Sequence, residues 1–167
     1  MRGVGKVFED NIKNSCPDWL LVHRPPDAAQ SFDMSSKLRF SQHSPADFFM
    51  FDGEKFYALE CKSFEGSCSF ERTKEDKGII HWYQIESLLK FSKYKNVISG
   101  FLLDFRSSGN TYFLSVSDFI NMICKLSKKS FNENDMNNYC SNLLIDKKKL
   151  KVNYRYDIEK FLNDVKL

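Results

Sequence analysis

The sequence predicts an α/β sandwich, and three observations predict it. Stretches with apolar residues at helical spacing alternate with β-rich stretches, in the order helix, strand, hairpin, helix, hairpin. The chain has 167 residues, the size of one domain. Its 42% hydrophobic content, with 16 Phe, 7 Tyr and 2 Trp, supplies the apolar volume for a core between a sheet and its helices. General disorder is therefore excluded.

The first helix is read over Gly3 to Cys16, where Val4, Val7, Phe8 and Ile12 share one face and Pro17 ends the run. Trp19 to His23 reads as a short strand. From Arg24 to Ser44 the periodicity fades into Pro25-Pro26 and a polar stretch, which reads as a loop or protrusion. Asp47 to Phe51, the turn Asp52-Gly53 and Lys55 to Lys62 form a β-hairpin. Ser63 to Gly78 has no period and reads as a mobile connection. Ile85, Leu88, Leu89 and Phe91 mark a second amphipathic helix over His81 to Tyr94. Val97 to Phe105 and Thr111 to Val116 make a second hairpin, after which Ser117-Asp118 offers a cap for a helix over Phe119 to Leu126. The tail, about 127–167, reads as helical: a helix near Met136 to Leu144, a lysine run from Lys147, and a last helix from about Asp157. The whole is expected to be one domain, 1–167, with a protrusion at about 24–43.

Composition narrows the function. The formal charge of +3 is only mildly basic, so nucleic-acid binding would have to rest on placed residues. The seven glycines never fall as GxGxxG or GxxxxGK[ST], which argues against a nucleotide cofactor. The five cysteines are odd in number and never spaced as CxxC, so neither a disulfide framework nor a zinc site is expected. No apolar run approaches the roughly 20 residues of a membrane span, and the N-terminal residues lack a signal-peptide core. A cytoplasmic protein without a membrane partner is the expectation.

The first hairpin carries Asp47, Glu60 and Lys62 near its open end. A two-residue turn at Asp52-Gly53 or a four-residue turn over Asp52 to Lys55 puts all three on one face, whereas a three-residue turn separates Asp47 from Glu60. Two neighbouring carboxylates repel unless one takes a proton or a cation lies between them. Oxygen-only ligation with room for water suits Mg²⁺, or Mn²⁺ in its place. A lysine two residues along the same face could orient a metal-activated water and offset charge on a phosphoryl oxygen. The residues alone leave an ordinary cross-strand ion pair equally open, because D/E-x-K recurs at Glu75-Asp76-Lys77, Asp146-Lys147-Lys148 and Asp164-Val165-Lys166. Those three copies lie in polar loops or the terminal helix; Glu60-Cys61-Lys62 ends an apolar strand.

Ser44-Pro45-Ala46-Asp47, Glu60-Cys61-Lys62 and His81-Trp82-Tyr83-Gln84 together resemble the PD-(D/E)xK nuclease superfamily, and within it the RecU Holliday junction resolvases. Gly5-Lys6-Val7-Phe8-Glu9, His23-Arg24-Pro25-Pro26, Gly100-Phe101-Leu102-Leu103 and Tyr112-Phe113-Leu114 extend the likeness over most of the chain. The resemblance implies a restriction-endonuclease-like core, with a mixed central β-sheet flanked by helices and a protruding stalk between early strands. It implies that Asp47 and Glu60 ligate Mg²⁺, that Lys62 attends the attacking water, that Gln84 assists from the neighbouring helix and that Glu9 approaches the metal from the first helix. It further implies a homodimer on branched DNA, with Arg24, Lys37 and Arg39 contacting the four-way junction beside Phe32 and Phe40. The segment matching the stalk is shorter than the usual one. Another PD-(D/E)xK nuclease, of restriction or repair type, and a non-catalytic dimeric DNA-binding module are the competing readings. The lysine run from Lys147 would suit phosphate contacts or a plain solvated surface.

Overall fold

The computed structural model describes residues 3–26 and 44–166. The described residues form α1 (Val4–Ser15), β1 (Leu21–His23), β2 (Phe48–Phe51), β3 (Phe56–Phe64), β4 (Ser67–Ser69) and α2 (Trp82–Ser92). There follow β5 (Val97–Phe105), β6 (Asn110–Ser115), α3 (Val116–Lys125), β7 (Ser130–Asn132), α4 (Glu133–Tyr139), β8 (Leu143–Leu144), β9 (Lys147–Lys149), β10 (Tyr154–Tyr156) and α5 (Ile158–Asp164).

The fold is α/β, with a mixed six-stranded sheet in the order β1-β2-β3-β5-β6-β8. β3 and β5 run parallel, joined by the α2 crossover, and the other neighbours pair antiparallel. β3 lies at the centre and is covered on both sides. Phe56, Ala58 and Phe64 face a layer with Ile85 and Leu88 of α2, Phe119 of α3 and Phe131. Tyr57, Leu59 and Cys61 face Phe8 and Ile12 of α1 and Phe161 of α5. The first layer is an aromatic cluster in which Phe64, Phe70, Phe105, Phe119 and Phe131 meet largely edge to face, the preferred geometry for ring pairs. Gly100 on β5 lets the backbones close up: a Cβ there would lie 2.3 Å from the Leu114 carbonyl oxygen.

The turn of the first hairpin has four residues, Asp52 to Lys55, because Phe51 pairs with Phe56 and Phe48 with Leu59. Asp52 shapes it. Its carboxylate accepts from the Glu54 and Lys55 amides at 2.9 and 2.7 Å and from the Tyr57 hydroxyl at 2.7 Å, and it pairs with Lys166 at 2.7 Å. Gly53 takes the positive φ of 94° that this turn requires.

Three expectations are corrected. Residues 63–78 are built into the fold: β3 continues to Phe64, β4 pairs with β7, and Phe70 and Glu71 are buried. Their partners lie some sixty residues downstream, which no local period reveals. The cap of α3 is Ser115, whose hydroxyl oxygen accepts from the Asp118 amide, rather than Ser117-Asp118. The tail is not wholly helical. β7, β8 and the β9–β10 hairpin interleave with α4 and α5, and the lysine run is itself a strand. Most of the protrusion expected at about 24–43, with Lys37, Arg39, Phe32 and Phe40, lies outside the described residues. No described helix is long and apolar enough to cross a membrane.

Candidate active site

The β2–β3 register sets the site. The pairing of Phe48 with Leu59 continues one step through the Asp47 amide, which donates to the Leu59 carbonyl at 3.1 Å. Asp47 therefore stands opposite Glu60, on the same side of the sheet, and Lys62 follows on that side two residues later. Asp47 is tied down where β2 begins: its Oδ2 accepts from the Cys61 amide at 2.8 Å. Lys62 Nζ lies 3.0 Å from Glu60 Oε1.

Gln84 completes the group from α2. Its Nε2 donates to Glu60 Oε1, and its own Oε1 accepts from the His81 amide at 3.0 Å, closing the capping box of the helix. A single side chain thus caps α2 and braces Glu60. His81 is the N-cap residue, consistent with a packing role. Its Nδ1 lies 2.9 Å from Glu71 Oε1, and the Glu71 carboxylate also accepts from the Trp82 amide at 2.7 Å and the Gly78 amide at 3.3 Å. Gly78 is there by necessity, since a Cβ would sit 2.7 Å from the Phe70 backbone.

The electrostatics follow from burial. Burial pushes Glu60 up to about 8, and the Asp47 charge adds to the rise against the opposing pull of Lys62. Asp47 is also raised by burial, relieved in part by the Cys61 amide, by Lys62 and Arg24, and by a hydrogen bond from the Glu60 carboxyl. Burial acts to lower Lys62, but Glu60 and Asp47 outweigh it and the ammonium is held above its ordinary value.

A buried carboxyl group facing a half-buried one across the β2–β3 pair fits a divalent cation, which relieves their repulsion. The donors facing the site are oxygens. Cys61 points into the opposite layer, where burial keeps its thiol protonated. Among the described residues no three His, Cys, Asp or Glu side chains cluster as a metal cage, and Mg²⁺ commonly binds through one or two carboxylates plus waters.

The structure thus brings together Asp47, Glu60, Lys62 and Gln84. Glu9 is near: it pairs with Arg24 and lies 4.0 Å from Lys6, and its charge raises Glu60. Arg24 stands beside this cluster, where its charge lowers Asp47. Sequence reasoning passed over Tyr83. Its ring stacks on His81 at 5.5 Å between centroids, and it feels the charges of Glu60, Lys62 and Asp47. The signal was its place beside Gln84 on the first turn of the helix.

No known family profile matches the sequence. The SPbeta prophage-derived uncharacterized protein YotM of Bacillus subtilis (strain 168) is 31% identical over 174 aligned positions, covering 96% of this chain and 86% of that protein. The chain belongs to the same family as YotM. Among solved structures, Hjc, a Holliday junction resolvase from the archaeal hyperthermophile Archaeoglobus fulgidus, has a TM-score of 0.44 at 16% identity, over 75% of this chain and 83% of that one.

Proposed function

We propose that the chain is a metal-dependent, structure-selective DNA endonuclease of RecU type, resolving four-way junctions by paired nicks. The observation that carries this reading is the convergence of Asp47, Glu60 and Lys62 on one side of β2 and β3, with Gln84 reaching Glu60 from α2. An ordinary surface ion pair needs none of this: it does not bury a carboxyl opposite a second one, nor brace it with a helix cap.

Asp47 and Glu60 would hold Mg²⁺, or Mn²⁺ in its place. The bound ion supplies Lewis acidity at a phosphoryl oxygen and a water of lowered pKa. Lys62 would hold the attacking water beside Glu60 and offset negative charge developing on the phosphate. Gln84 would fix the rotamer of Glu60. Arg24 would balance the carboxylates before substrate arrives and meet the DNA backbone afterwards, with Lys37 and Arg39 as further backbone contacts. Glu9, paired with Arg24, would tune that charge from α1. A chain with one such site needs a second copy to nick two strands of like polarity, so the acting form would be a C₂ homodimer. The five cysteines are free, as suits a cytoplasmic protein.

The test is cleavage of a four-way junction, a flap and a linear duplex in Mg²⁺. The wild type should cut the junction in preference. Asp47→Asn and Glu60→Gln should cut none of the three while still binding the junction. Wild-type rates in either variant would remove the site assignment, and equal cutting of all three substrates would remove the junction selectivity.

A further inference from the structure

The β9–β10 hairpin carries the lysine run of the tail, which the site above does not use. Its base is fixed. Lys147 turns inward, donates to Asp104 Oδ1 at 3.1 Å and Thr111 Oγ1 at 2.8 Å, and lies over the rings of Tyr154 and Tyr156 at 4.7 and 5.4 Å. The tip is closed by the Leu150 amide donating to the Asn153 carbonyl at 2.8 Å.

On this braced ribbon Lys148, Lys149, Lys151 and Arg155 are exposed. Among the described residues none of the four has an ion-pair partner. Lys148 and Arg155 are direct cross-strand partners, and like charges in that relation cost stability. Three of the four acidic groups that line the cleft beside Lys148 and Arg155 are committed elsewhere. Asp146 pairs with Lys160 at 2.6 Å, Asp157 caps α5, and Glu159 accepts from the Trp19 indole at 3.0 Å. Asp18 lines the same cleft as Lys148 and Arg155 without an ion pair to either, so these cations, set against each other on a braced element, suit an external polyanion.

The position says which one. Asp104, which anchors Lys147, also accepts from Ser63 Oγ at 2.9 Å, and Ser63 is the residue after Lys62 on β3. The hairpin therefore stands at the same end of β3 as Lys62 but on the opposite face of the sheet, with Tyr154 and Tyr156 in the α1 layer. At its tip Val152 is 86% exposed and Leu150 47%, apolar groups flanked by lysines.

We infer that the β9–β10 hairpin is a nucleic-acid contact that enters a groove of a duplex arm leading away from the site, with Lys148 and Arg155 on one face of the ribbon and Lys149 on the other meeting the two flanking phosphate backbones and Leu150 and Val152 between them. This rests on the nuclease reading, since that reading places DNA at Lys62. Each phosphate contact releases counterions, so the dependence of binding on salt counts contacts.

The experiment measures junction binding without divalent cation, between about 50 and 200 mM salt, in an Asp47→Asn background so that catalysis plays no part. K148A/K149A/R155A should lower the slope of log K against log salt by roughly 2 to 3, at about 0.9 per phosphate lost, and weaken binding at least tenfold at low salt. The three positions are exposed, and circular dichroism should be unchanged. K90A/K93A/K95A, at the far end of α2, removes the same charge and should leave the slope alone. An unchanged slope in the hairpin variant, or an equal fall in both, would overturn the hairpin contact. Capture of the hairpin by phosphatidylserine vesicles, with junction binding unaffected by its mutation, would overturn it in favour of a membrane surface. Failure of the parent protein to bind DNA at all would overturn the nuclease reading itself.

Discussion

Removing the Glu71 carboxylate should loosen the start of α2 and, through it, the candidate site. In Glu71→Ala the Trp82 and Gly78 amides and His81 Nδ1 lose their common acceptor. Hydrogen bonds to a charged group contribute about 1.5–3 kcal/mol each, and a carboxylate at a helix N-terminus adds about 0.3–1 kcal/mol. Trp82 and His81 are only half-buried, so water can replace part of what is lost. With the His81 bond replaced by water and the two amide bonds taken at the low end, the loss is about 3 kcal/mol. For a chain of this size that corresponds to a fall in Tm of about 6–12 °C. Glu71→Gln keeps one acceptor oxygen and should fall about half as far. The sign of the pH dependence is fixed. Burial acts to raise Glu71, but the Trp82 amide, His81 and the Gly78 amide outweigh it and hold the carboxyl below its ordinary value. Its contribution is therefore complete above the unfolded value near 4.3 and disappears as pH falls through the lower folded value. Calorimetric scans at pH 7 and pH 3 should show the gap between wild type and Glu71→Ala at the first and its contraction at the second. A shift below about 2 °C at pH 7 would show that Glu71 is not what holds the helix start, since it lies under the ~6 °C expected at the low end.

Other outcomes follow from the same contacts. Lys62→Ala should lower the cleavage rate far more than it weakens Mg²⁺ binding, read by titrating activity against metal; equal losses in both would assign Lys62 to holding the metal site. Gly100→Ala should cost at least about 2 kcal/mol in urea unfolding, because the added methyl meets a backbone carbonyl of β6 that cannot step aside; a neutral result would mean that β5 and β6 lie further apart than described. Asp52 is held well below the ordinary carboxyl range by Lys166, the turn amides and Tyr57, so Asp52→Asn should be destabilised at pH 7 and nearly equal to wild type as pH falls through the folded value of Asp52. An equal deficit at every pH would rule out the ionised carboxylate as the cause. A heterodimer of one wild-type and one Asp47→Asn subunit should nick a junction once without resolving it; two cuts would refute one site per strand.

The parts of the fold read correctly from sequence are those whose signal is local. The apolar face of α1, the hairpin flanking Asp52-Gly53 and the face of α2 each declare themselves within a dozen residues. The same locality delivered Asp47, Glu60 and Lys62 to one side, once the four-residue turn had chosen between the registers left open. What the sequence hid depends on partners that are remote or follow no period. β4 exists because β7 pairs with it, some sixty residues away; Glu71 has near partners, but they are non-periodic and meet it only when Gly78 lets the backbone fold onto Phe70. The lysine run reads as phosphate contacts or a plain solvated surface because nothing nearby reveals that Asp104 and Thr111 draw Lys147 inward. Arg24 was assigned to DNA alone. Its pairing with Glu9 follows from the packing of α1 against β3, which brings that helix to the edge of the site.

The double duty of Gln84 makes the N-cap amide of α2 a built-in gauge. The His81 N–H is shielded only while the Gln84 oxygen stays over it, and that oxygen is steered by what its own nitrogen finds on Glu60. Whatever occupies the carboxylates, whether a proton, an ion or a substrate, alters how firmly the amide group is gripped. The change is transmitted over one side chain to a backbone proton that exchanges with solvent. Deuterium uptake at His81 should then follow occupancy of the site without any label placed in it, reading the state of the chemistry from the fraying of a helix.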